Sequence, residues 1–346
     1  MKRIKQHLSK FRRTKQPAED KLDSRITNET VAEHREQIIA GGRKFKYPVQ
    51  YSRHRLVVNS LLIVIGSVIV MTALLLWLLY VVQDTSKLLY RVTQFVPVPV
   101  ASVDDESVRY SDYLRRLRSS LHFLESQQDL SPKTEDGQRQ INYRKRVELD
   151  NSIYDTYVTK LARQHSLSVS NREIDLAIEI EIQQKHISKA VLQRTLSNYY
   201  DWSLEDYRSS MRMDLLKRKV SFTIDQPARQ KAERIISSLR SGSDFGELAR
   251  VESDDQITKA NGGDSGIQSI ESADSNGVVA AVRKHNPGEL TGLISGTDGY
   301  YIAKLVAKSD TSTQYQVIKI GFTELQRRFD EVKRAGRVKE YIKIGT

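Results

Sequence analysis

From Leu56 to Val82 the chain carries no charged side chain: LVVNSLLIVIGSVIVMTALLLWLLYVV. A helix of that length, rising ~1.5 Å per residue, reaches about 40 Å and can cross a ~30 Å hydrocarbon core with tilt. Being apolar on every face, it has no side to turn toward water, unlike an amphipathic surface helix. The polar pair Asn59 and Ser60 lies near one end; Trp77 and Tyr80 lie near the other, as interfacial aromatics do. Arg43, Lys44, Lys46, Arg53 and Arg55 crowd the N-terminal flank, whereas only Lys87 and Arg91 stand close beyond it, behind Asp84. The positive-inside bias predicts a single-pass protein of the cell membrane, N-terminus cytoplasmic and the large C-terminal part extracytoplasmic. A cleaved signal peptide would have an apolar region of only ~7–15 residues and a small-residue cleavage site. Here VVQDTSKLL follows, so the expectation is an uncleaved signal anchor.

Much of the net charge of +12 lies in the first 55 residues, in MKRIKQHLSKFRRTK and GGRKFK. Such a tail fits the inside-positive flank and anionic lipid heads. No aromatic platform or binding motif accompanies it, which argues against nucleic acid as a partner. The tail reads as mostly disordered, with a short helix at Val31–Ala40. The chain has no cysteine, which excludes disulfides, a thiol nucleophile, a thiolate metal site and a lipobox anchor. The outer part must be held by its core, and it is long enough for two domains.

Beyond the span, Gln83–Val100 reads as a connector, in which Pro97 and Pro99 favour an extended, stiff Phe95–Val100. Val100–Val108 alternates around an acidic turn and predicts a hairpin. Ser111 is the expected cap of a helix, Asp112 to Gln127; a loop follows over Asp129–Gly137, then a helix from Gln138 to His165 with Leu149, Ile153, Tyr157 and Leu161 on one face. Ser170–Glu173 and Ser203–Asp206 have capping-box spacing and open two more helices. These stretches, VASVDDESVRYSDYLRRLRS and RVELDNSIYDTYVTKLARQHSLSVSNREIDLAI, resemble the SurA-type N-terminal chaperone domain over about residues 97–220.

Val220–Ile224 is a strand candidate, Pro227–Leu239 a helix, and Asp244 as cap with Glu247 completing a capping box opens another. Gly262-Gly263-Asp264 marks a turn, Asn286–Glu289 another, and Tyr300–Val306 alternates like a strand that should neighbour Val220–Ile224. GSDFGELARVESDD, NGGDSG and NPGELTGLISGTDGYYIAKLV together resemble a parvulin-type, PpiC-like peptidyl-prolyl isomerase domain. Tyr315–Ile320 is a further strand, and Thr323 the expected cap of a C-terminal helix from Glu324 to about Ile342. In SurA- and PrsA-like chaperones such a helix returns to the helical domain.

The expected fold is therefore α+β: a single transmembrane helix, a mainly helical SurA-type domain, an inserted parvulin-like antiparallel-sheet domain and a C-terminal helix. The expected divisions are a basic tail at 1–55, signal anchor at 56–82, connector at 83–96, helical domain at 97–219, parvulin-like domain at 220–308, and returning strand and helix at 309–346.

The resemblance implies a site with two histidines, an acidic residue or cysteine, and a Met/Phe floor for proline. Asp255 falls in the acidic position and Tyr301 where the second histidine is expected; Val220–Ile224 holds no first histidine. The floor positions fall near Ala273 and Gly277, and His285, in a polar turn, matches no catalytic position. Asp255 and Tyr301 are the candidate catalytic residues, with a loop-capping role the alternative for Asp255. Prolyl rotation needs neither nucleophile nor cofactor, and no metal or cofactor motif is present. The expected partners are unfolded or newly translocated proteins and the bilayer. Three readings stay open: a folding factor with isomerase activity, one whose isomerase activity is weak or lost, and a non-catalytic envelope scaffold.

Overall fold

In the computed structural model, residues 27–46, 48–127, 133–271 and 274–345 are described. Residues 1–26 of the tail, much of the loop around Pro132, and Ala273 lie outside them. The chain divides into two units, residues 1–74 and 75–346. The first holds α1 (Asn28–Lys46) and most of α2 (Pro48–Trp77), which continues as a π-helical turn, Leu78–Val82. Among the described residues one helix, Arg55–Val82, is long and apolar enough to cross a membrane.

Gln83 closes the π-helical turn, and the connector holds a helix that the sequence reading did not give, α3 (Lys87–Phe95), with the Ser86 hydroxyl accepting from Leu89 N–H; the chain is extended again from Val96 into the next strand. Leu89 and Thr93, four residues apart, form its buried face. The hairpin appears as β1 (Pro99–Val103) and β2 (Glu106–Arg109). The next helix, α4 (Tyr110–Gln127), starts before the expected Ser111 cap; Ser111 is buried within it. Then come α5 (Glu135–Gln164), α6 (Asn171–Gln184), α7 (Lys189–Tyr200) and α8 (Leu204–Ile224). Of three predicted capping boxes, those at Ser170–Glu173 and Ser203–Asp206 are formed, while at Asp244–Glu247 the Asp244 side chain alone caps, accepting from Glu247 N–H.

Val220–Ile224, expected as a strand, is the last turn of α8. Its β-branched alternation is overridden by packing. Val220 and Ile224, four residues apart, are buried in the helical core, while Phe222 on the other side meets Tyr300 and Phe322. The sheet domain follows: α9 (Gln226–Arg240), α10 (Phe245–Glu252), β3 (Asp264–Ser269), the short α11 (Val278–Val282), β4 (Ile294–Ser295), β5 (Gly299–Lys308) and β6 (Ser312–Gly321). Strand order is β3-β6-β5-β4, antiparallel throughout, so Tyr300–Val306 neighbours β4 and β6 rather than Val220–Ile224. The strand read at Tyr315–Ile320 is thus central to this sheet. Gly263 fits the close approach beside it. Its φ is +83°, and a Cβ there would sit 2.6 Å from the Val317 carbonyl oxygen.

The chain then returns to the helical core through α12 (Glu324–Arg334) and β7 (Val338–Glu340), which adds a third strand beside β1. Thr323 supplies no side-chain cap; Asp225 does. One Asp225 carboxylate oxygen accepts from Ala228 N–H at the start of α9, and the other from Thr323 and Glu324 N–H at 2.7 and 2.9 Å. One buried side chain therefore caps the helix leaving the core and the helix entering it.

The helical core joins Leu79, Leu89, Val100, Leu117, Ile153 and Phe329. Leu79, within the expected span, has 0% exposure. Its carbonyl accepts from the Tyr110 hydroxyl, and the Tyr80 hydroxyl donates to Pro99 O. The last turns of the apolar run are therefore built into the folded unit.

Candidate functional site

Asp255 and Tyr301 line one cavity of about 350 Å³ on the sheet domain. Asp255 stands in the loop after α10, where Ile257 N–H donates to its Oδ1 at 3.0 Å and the Thr258 hydroxyl to its Oδ2 at 2.9 Å. Its carboxylate thus shapes its own turn. Tyr301 lies on β5, paired in register with Ile294 of β4 and Lys319 of β6.

The Tyr301 hydroxyl is enclosed by polar partners. It donates to Asp298 Oδ1 at 2.6 Å and accepts from Asn276 Nδ2 at 2.9 Å. Asn276 Oδ1 accepts from the backbone N–H and the hydroxyl of Thr297. Lys319 Nζ reaches Asp298 Oδ2 at 2.5 Å and stands 5.9 Å from the Tyr301 ring centroid. Gly296 makes room for this ring; a Cβ there would come within 2.4 Å of it.

Charge follows geometry. Burial, then the hydrogen bond and negative charge of Asp298, push the Tyr301 hydroxyl far above the ordinary tyrosine value. Burial alone would raise Asp298, but hydrogen bonds from Lys319 and Tyr301 and the Lys319 charge outweigh it and hold the carboxyl below its usual range. At neutral pH the cluster is a neutral phenol and an ionised carboxylate with an ammonium against it. Tyr301 cannot serve as a base there.

The apolar lining comes from unexpected places. Gly277, an expected floor position, is the left-handed residue before α11 and brings no side chain. Val278, Tyr315 and Val317 line the cavity instead. His285 is outside the cavity lining, 3.8 Å from Glu289. Asn276, Asp298 and Lys319 escaped the sequence reading. Asp298 could have been found from its place three residues before Tyr301 in a tight turn. Lys319 could not, because only strand pairing sets it opposite Tyr301.

In the helical module Tyr113 and Tyr157 are buried in the core. Tyr207 is half-buried and hydrogen-bonded to Glu181.

Comparison with known proteins gives two matches to family models: a SurA-like N-terminal domain over residues 53–221 and a PPIC-type PPIASE domain over residues 215–307. The second match ends before β6. No curated protein matches the chain. Among solved structures, the peptidylprolyl isomerase PrsA from Bacillus anthracis is similar at 19% identity, covering 55% of this chain and 85% of its own, with a TM-score of 0.19. The foldase protein PrsA from Streptococcus pneumoniae is similar at 17% identity, covering 68% and 84%, also with a TM-score of 0.19.

Proposed function

We propose that this chain, which matches a SurA-like N-terminal domain over residues 53–221 and a PPIC-type PPIASE domain over residues 215–307, is a membrane-anchored extracytoplasmic folding factor. It holds unfolded or newly translocated polypeptides and has weak or no prolyl isomerase turnover. The apolar helix Arg55–Val82 supports the anchor, and the basic flank before it supports a cytoplasmic N-terminus.

One observation carries the reading of activity. The polar groups beside Tyr301 are matched to one another rather than left open to a peptide carbonyl. Prolyl rotation faces a barrier of ~20 kcal/mol, and a catalyst must bind the twisted amide better than either planar form. A phenol and an ammonium already engaged by Asp298 have little left for that amide. Each 1.36 kcal/mol of lost transition-state binding is about tenfold in rate. Val278, Tyr315 and Val317 still offer an apolar wall, so the cavity can hold a proline-bearing stretch without turning it over.

The test uses the full chain in nanodiscs, assayed with a proline peptide and with an aggregating client, beside an Asp255→Ala variant. The expected result is turnover near background with suppressed aggregation in both proteins. Turnover near that of an intact parvulin, abolished by Asp255→Ala, would overturn the reading of activity. Failure to suppress aggregation would leave the scaffold reading. Protease added to wall-stripped cells should degrade the part beyond residue 83; a protected C-terminal part would reverse the orientation.

A further inference from the structure

We propose that α3 is a membrane-interface helix, its outer face seated in the headgroup layer of the bilayer that Arg55–Val82 enters; this rests on the anchor reading above. Leu88 and Phe95 are 70% and 86% exposed, and they lie seven residues apart, on one face. Lys87 and Arg91 stand on the exposed side with them, and KLLYRVTQF contains no acidic residue. Arg91 forms no ion pair among the described residues. Lys87 pairs with Asp201 at 3.2 Å, so Arg91 is the cation this face leaves to a headgroup, and apolar side chains beside it complement a lipid surface with anionic headgroups.

Position and rigidity favour this occupant over a client peptide. Only Gln83–Ser86 separate the π-helical turn from α3, and Val81 and Val82 of that turn are themselves exposed. The outer face cannot turn away. Leu89 and Thr93 are buried on its other side, and the Tyr90 hydroxyl donates to Asp206 Oδ1 at 2.6 Å. Neither Leu88 nor Phe95 lines the Tyr301 cavity.

The absence of cysteine allows a direct test. Phe95→Cys, Ile69→Cys and Leu176→Cys, each in the full chain, receive a nitroxide label in vesicles of phosphatidylcholine and phosphatidylglycerol. Collision with oxygen, which concentrates in lipid, is compared with collision with a water-soluble nickel complex. Ile69 reports the span, and Leu176, exposed on α6, reports water. The expected oxygen-to-nickel ratio is highest at 69, intermediate at 95 and lowest at 176. A ratio at 95 equal to that at 176, with 69 lipid-like, overturns the interface helix and leaves the anchor standing. A water-like ratio at 69 overturns the anchor reading and this one with it. A label at 95 shielded from both reagents places protein there and overturns the proposal.

Discussion

The core around Leu79 and the cavity beside Tyr301 are both completed by residues after Thr311, yet what arrives differs. To the core, α12 brings Leu325, Phe329 and Val332, and Phe329 packs edge-on to Tyr154 at 4.9 Å. To the cavity, β6 brings Lys319, which pairs with Asp298 against Tyr301. The first region closes over apolar side chains; the second remains an open polar cavity. Apolar burial is non-directional and sums over area, so each distant segment adds to stability. A polar cluster satisfied within itself gains specificity of shape and leaves fewer free donors for a ligand.

The comparison would break most visibly at Leu79. Leu79→Ala in the full chain should cost about 2–5 kcal/mol by denaturant unfolding, as for a well-packed core leucine. A cost no greater than that of Leu62→Ala, an exposed position of the apolar run, would show that the run's end lies outside the core. Next comes Asp225, which serves both regions. Asp225→Ala removes caps from α9 and α12 together, an expected loss of about 2–4 kcal/mol at ~1–2 kcal/mol per cap. Hydrogen exchange should quicken at the first turns of both helices; loosening of one alone would mean that the shared cap is not coupling them.

Smaller effects sharpen the contrast. Tyr301→Phe removes a hydroxyl from a cluster whose Asp298–Lys319 pair persists, so the expected cost is about 1 kcal/mol with no loss of client holding. A pronounced collapse of the sheet domain would make the tyrosine structural rather than part of a site. The smallest effect concerns acid. Hydrogen bonds from Arg327, helped by Arg328 against partial burial, pull the Glu324 carboxyl down from 4.5 to about 2. The unfolded chain therefore takes up this proton first, and the stability that Glu324 contributes above about pH 4.5 drains away as pH falls toward 2. Glu324→Gln should flatten that limb of the stability profile by lowering stability above about pH 4.5 and leaving it nearly unchanged near pH 2; an unchanged acid limb would rule the pair out.

Much of what lay open in the sequence acts over a few residues, although the local caps expected at Ser111 and Thr323 do not form. The uninterrupted apolar run, the Ser170 and Ser203 boxes, the Asp244 cap, the acidic hairpin and the glycine turn each arise from chemistry within three or four positions, and each is where it was expected. Asp255 and Tyr301 were candidates through the family resemblance alone, and the fold brings them to one cavity. Tertiary structure alone decided the rest. Val220–Ile224 became helix because two cores compete for its opposite sides, an outcome no local propensity encodes. β6 became the strand opposite Tyr301 through pairing with a segment on the far side of a turn and with β3 some fifty residues before it, and that pairing delivered Lys319 to the site. Asp225 caps α12 across nearly a hundred residues. Propensity and capping are local energies written residue by residue; strand partners, shared caps and cavity walls are non-local, and they exist only once the chain has closed.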